Sequence, residues 1–107
     1  MLKNWTKYDF FQLIIGQVNA KEQPHGICRL VDTDGFFIFE GQFMNGELSG
    51  YGRAIGYNAY YVGEWKEGNY HGFGTEVSFD GCSYVGGWED NMRHGSGKYT
   101  KADGNVF

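Results

Sequence analysis

Proline appears once in this sequence, at Pro24, and cysteine twice, at Cys28 and Cys82. Two cysteines without CxxC or His-flanked spacing exclude a zinc ribbon, a redox motif or a disulfide-stapled scaffold. No stretch of 18 apolar residues occurs, so no transmembrane helix is written into the chain. The opening "MLKNWTKYDFFQLIIG" is interrupted by Asp9 and Gln12 and lacks the unbroken apolar centre of a signal peptide. Basic residues are also few: 9 Lys and Arg stand against 13 Asp and Glu, for a net charge of −4. That balance argues against nucleic acid, which needs clustered cations, and disfavours an anionic phospholipid surface. The expectation is a soluble, cytoplasmic chain with both thiols reduced.

Glycine and aromatics are in excess: 18 glycines, and 19% Phe, Tyr and Trp, in 107 residues. The glycines do not fall every third residue, which excludes collagen, and the aromatics exclude a flexible linker. Tight turns between strands are the remaining reading. The chain is long enough for one domain.

The excess is periodic. Phe39-Glu40-Gly41-Gln42-Phe43, Tyr61-Val62-Gly63-Glu64-Trp65 and Tyr84-Val85-Gly86-Gly87-Trp88 share the form aromatic-x-Gly-x-aromatic. Each is followed by Gly-x-Gly: Gly50-Tyr51-Gly52, Gly72-Phe73-Gly74 and Gly95-Ser96-Gly97. A weaker copy precedes them in Ile14-Ile15-Gly16-Gln17-Val18 and His25-Gly26-Ile27-Cys28, with Asp34-Gly35 as its closing turn and Cys28 where the second glycine belongs. The spacing divides the chain into a cap segment 1–13, a degenerate unit 14–38, units 39–60, 61–83 and 84–106, and a further unit begun at Phe107.

Alternation with period 2 places both aromatics and the glycine of each motif on one face of a strand. Gly-x-Gly opens the returning strand, with four to six turn residues between, so each unit is a β-hairpin. Successive hairpins extend one antiparallel sheet by about 9.6 Å per unit, roughly 40 Å for four units. The fold expected is therefore all-β: an elongated, single-sheet array of stacked hairpins. Equivalent aromatics should stack in rows, Phe39–Tyr61–Tyr84–Phe107 and Phe43–Trp65–Trp88. Trp5, Tyr8 and Phe11, three apart, suggest a short helix over the cap segment; a strand from Asp9 onward is the alternative.

"YVGEWKEGNYHGFGTEVSFDG" and "YVGGWEDNMRHGSGKYTKADG" resemble MORN (membrane occupation and recognition nexus) repeats, whose pattern runs Tyr-x-Gly-x-Trp-x-x-Gly-x-x-x-Gly-x-Gly. Phe43 departs from the pattern's Trp, and Asn91 stands at its turn glycine. The resemblance implies a twisted groove with an aromatic-lined concave face and a non-enzymatic scaffold role at cytoskeleton or membrane junctions. It also implies two alternatives: a membrane-surface module recognising phosphoinositide headgroups, or the regulatory repeat region of a larger enzyme. The headgroup reading requires Arg29, Arg53, Lys66 and Arg93 to converge on one face.

The residues expected to bind a partner are Phe39, Phe43, Tyr61, Trp65, Tyr84 and Trp88 as a groove floor, with Tyr51 and Phe73 as a second surface. The partner expected is a protein segment, helical or basic, the rim carboxylates Glu40, Glu64, Glu76 and Glu89 favouring positive charge. An end-to-end homodimer through the C-terminal strand edge is a further expectation. No catalytic constellation or cofactor motif is present, and Gly-x-Gly never extends to Gly-x-Gly-x-x-Gly before a helix. His25, His71 and His94 recur one per unit, about 10 Å apart, too distant to share a metal ion.

Overall fold

The computed structural model describes residues 11–32 and 37–106. Eight strands follow in chain order: β1 Phe11–Val18, β2 Pro24–Asp32, β3 Ile38–Met44, β4 Glu47–Ile55, β5 Ala59–Lys66, β6 Asn69–Ser78, β7 Ser83–Glu89 and β8 Met92–Thr100. They form one antiparallel sheet in the order β1-β2-β3-β4-β5-β6-β7-β8, every strand pairing with its sequence neighbours. The molecule measures 47 × 27 × 17 Å, a single layer rather than a two-layered globule. Its radius of gyration, 14.7 Å, exceeds the roughly 13 Å of a compact chain of this length.

The hairpin turns are tighter than the sequence spacing suggested. Asn45-Gly46, Glu67-Gly68 and Asp90-Asn91 are two-residue connections, and all six residues have positive φ. Two left-handed residues in succession match the right-handed twist of the flanking strands, as in a type I′ turn. Asn91, at φ 68°, takes the place of glycine there because asparagine tolerates this conformation. The turns are also tied to one another. The Gly46, Gly68 and Asn91 amides donate to Pro24, Leu48 and Tyr70 carbonyls at 2.9, 2.9 and 3.2 Å, each on the preceding hairpin.

A row of bare backbone crosses the sheet. Cys28 pairs with Gly41, Gly41 with Gly52, Gly52 with Gly63, Gly63 with Gly74, Gly74 with Gly86, and Gly86 with Gly97. Cys28 thus occupies a glycine position, as its place in the repeat suggested. The row exists to receive rings: a Cβ added at Gly74 would strike the Tyr61 ring, and one at Gly97 the Tyr84 ring. Such absences of side chain let aromatic groups lie on the strand itself.

No helix is seen among the described residues, and the helix expected over the cap segment lies mostly outside them. Trp5 and Tyr8 lie outside the described residues, and Phe11 opens β1. From Phe11 onward, pairing with β2 satisfies the backbone of this segment, which is rich in β-branched residues. The Asp34-Gly35 turn and Phe107 also lie outside the described residues.

Candidate functional site

The sheet has two faces, and alternation decides what each carries. One face holds the core: Cys28, Leu30, Phe43, Leu48, Ala54, Tyr61, Trp65, Tyr84 and Trp88, with Phe39, Tyr70 and Tyr99 packed against them. Tyr61 lies at its centre, 0% exposed. Tyr70 stacks on it at 3.8 Å, and Trp65 and Trp88 meet it edge-on at 5.2 and 5.4 Å. The Tyr61 hydroxyl donates to the Glu64 carbonyl at 2.8 Å, and the Trp88 Nε1–H donates to the Gly74 carbonyl at 3.1 Å.

Units are therefore joined diagonally. Equivalent aromatics such as Tyr61 and Tyr84 are two strands apart, about 9.6 Å, too far to stack. The expected rows of equivalent rings give way to contacts between Trp88 and the Tyr61–Tyr70 pair of the preceding hairpin. In the last hairpin Arg93 takes the position of Tyr70. Its guanidinium lies 5.1 Å from the Tyr84 ring centre and 4.8 Å from that of Tyr99.

Burial pushes the Tyr61 hydroxyl up to about 12 from 10.0, with the Tyr70 and Glu64 charges adding to it. Tyr70 is raised in the same direction by burial and then by Glu76. A buried phenol resists losing its proton because the phenolate would be poorly solvated. The folded chain therefore holds protons that the unfolded chain has released, and stability falls as pH rises. The contribution is fully present below pH 10 and disappears as pH passes through about 12. Urea unfolding across this range should show a falling midpoint, and Tyr61→Phe should flatten the fall; a pH-independent midpoint would contradict the assignment.

The eight residues expected to bind a partner fall into two sets. Phe43, Tyr61, Trp65, Tyr84 and Trp88 are buried and Phe39 is half-buried, so these six are spent chiefly on holding hairpins together. Tyr51 and Phe73 are 65% and 59% exposed on the opposite face. That face carries apolar residues the sequence reading passed over: Ile27, Val62 and Val85, also exposed. A signal for them existed. Val62 and Val85 fill the first x of aromatic-x-Gly-x-aromatic, and Ile27, Tyr51 and Phe73 fill the x of the second motif in three successive units, where an outward strand position ordinarily carries a polar residue.

Charged groups share this face. Register places Arg29 opposite Glu40, Glu40 opposite Arg53, and Arg53 opposite Val62. The Glu40 carboxylate accepts from the Arg53 guanidinium and lies 3.5 Å from Arg29 Nε. Glu64 Oε2 and Gln42 Oε1 accept from the Phe73 and Tyr51 amides at 2.5 and 2.7 Å, fixing the backbone that presents those two rings. Arg93 pairs in register with Trp88 on the core face, so it does not converge with Arg29 and Arg53. The arrangement that a headgroup site would have required is not formed.

The histidines do local work: His25 Nδ1 accepts from the Asn45 amide at 3.3 Å, and His94 lies 3.3 Å from Glu89. Cys28 and Cys82 are both free thiols, Cys28 buried and Cys82 half-buried.

A single open sheet of like hairpins, its core on one face and an exposed apolar strip on the other, defines a β-hairpin repeat protein. The MORN repeat family matches residues 39–58, 61–83 and 84–106, and the chain belongs to that family. Its repeats are in general protein- and membrane-interaction modules. No curated protein matches the chain.

Proposed function

We propose that this chain is a non-enzymatic interaction module that holds a segment of a partner protein along the face carrying Ile27, Tyr51, Val62, Phe73 and Val85. The observation that supports this most directly is the exposure of Tyr51 and Phe73 on the face opposite the buried aromatics. Rings fixed on a paired sheet supply contact area at small entropic cost. Ile27, Tyr51 and Phe73 stand on alternate strands, about 9.6 Å apart. A helix presenting an apolar residue every seven positions advances about 10.5 Å between them, close to this interval. The role suits a scaffold in the cytoplasm or at the cytoskeletal or membrane periphery.

The test uses the partner captured by the tagged chain from its native cells, with its dissociation constant then measured for each variant. Tyr51→Ser and Phe73→Ser should each weaken binding about thirtyfold while leaving the melting temperature within a few degrees of the parent. A partner retained by the double variant, or released only when Trp65 or Trp88 is replaced, would overturn this reading of the face.

A further inference from the structure

The net charge of −4 and the carboxylates along the strands suggest a basic partner. The exposed face reverses that expectation at one place. Ile27, Tyr51 and Val62 floor a shallow concavity of about 470 Å³, and Arg29, Glu40 and Arg53 stand at its side. Two guanidinium groups there meet one carboxylate, leaving one positive charge in excess. The carboxylates that would have made a basic-binding rim are engaged elsewhere. Glu40 is held between Arg29 and Arg53, and Glu64, opposite Tyr51 in register, turns to the Phe73 amide and does not line the concavity. Glu76 lies on the core face, 4.0 Å from Arg93, and Glu89 lies beside His94. Arg29 Nε faces the Glu40 carboxylate at 3.5 Å, and the rest of its guanidinium remains partly exposed.

Resting on the proposed use of this face, we infer that the concavity receives a partner segment carrying a carboxylate side chain next to a large apolar one. The apolar group lies on Ile27, Tyr51 and Val62; the carboxylate accepts from the Arg29 and Arg53 guanidinium groups, a planar, bidentate arrangement suited to arginine. The apolar floor favours a peptide over a phosphate headgroup, since a headgroup offers nothing to cover it.

Two synthetic helical peptides test the inference, each with leucine at seven-residue intervals and flanked by glutamate in one and lysine in the other. Anisotropy titrations with the full chain should show the glutamate peptide binding about tenfold tighter, a preference that shrinks with added salt. Arg53→Gln should weaken the glutamate peptide about tenfold. Glu40→Gln should tighten it severalfold, a gain that damage to the fold cannot produce. Equal binding of both peptides, lost together in Tyr51→Ser, would leave the face as a protein-binding surface and overturn the carboxylate inference alone. Tighter binding of the lysine peptide, weaker binding by Glu40→Gln, or binding of neither peptide at millimolar concentration would also overturn it. Flotation with phosphatidylcholine vesicles containing phosphatidylinositol 4,5-bisphosphate, lost in Arg53→Gln while neither peptide binds, would assign the arginine pair to a headgroup instead.

Discussion

Trp65→Ala should destabilise the chain by about 3–5 kcal/mol, a large part of the stability of a domain this size. The residue is 6% exposed, and its indole meets Tyr61 at 5.2 Å and Tyr70 at 4.9 Å, both edge-on. In a single-layered sheet no second layer can move in to close the cavity, so little of the loss is recovered. A lone hairpin is only marginally stable in water, and the contacts among Trp65, Tyr61, Tyr70 and Trp88 join the second and third of the family-matched hairpins. The melting temperature should fall by more than about 10 °C. Trp65→Phe should cost far less, because Trp65 Nε1 makes no hydrogen bond for the substitution to break. The equivalent Trp88→Phe should cost more, since it removes the hydrogen bond from the indole to the Gly74 carbonyl. Equal losses for the two Phe variants in thermal denaturation would contradict the different roles assigned to the indoles, and an unchanged melting temperature for Trp65→Ala would contradict the core itself.

Gly63→Ala should be nearly as damaging, at about 3 kcal/mol, the upper end of overpacking costs. The added methyl would collide with the Gly74 Cα and come within 2.7 Å of the Phe73 carbonyl oxygen, both backbone atoms of the adjoining strand. Backbone cannot swing aside as a side chain can, so the strands must separate or the register must slip. Gly26→Ala is the control. Nothing lies within 4 Å of its Cβ position, and its φ of +85° supplies the whole penalty. That penalty should be about 1–2 kcal/mol. Urea titrations of the two variants separate close strand approach from backbone conformation; losses of equal size would mean the glycine row is kept for dihedral freedom alone.

Much of this was legible in the residues because a repeat states its geometry several times over. The aromatic-x-Gly-x-aromatic motif gave strands, their inward face and the order of hairpins, and Cys28 could be assigned to a glycine position before any coordinate. The turn length was less legible. Counting from Trp65 to Gly72 suggests a loose connection, whereas strands β5 and β6 run on to Lys66 and from Asn69, leaving only Glu67-Gly68 to turn. The difference lies in an irregular register between Gly63 and Trp65, where β6 carries extra residues, and a bulge leaves no mark on spacing alone.

The candidate site was half legible. Tyr51 and Phe73 could be placed on the face opposite the glycines from alternation, but Tyr61 and Trp65 were open to reading as floor or as core. Period 2 says which residues share a face. It does not say whether that face is covered.

By itself, the sequence determined a chain of stacked hairpins, one bare row of glycines and one row of inward aromatics, because these follow from backbone geometry repeated at a fixed interval. Only the tertiary structure decided that Trp88 crosses to the preceding hairpin, that five of the inward aromatics are buried, and that Arg29 and Arg53 flank Glu40 beside Ile27, Tyr51 and Val62. Those are relations between residues of different strands, and they depend on register, bulges and the direction each ring takes across its neighbours, none of which a local pattern encodes.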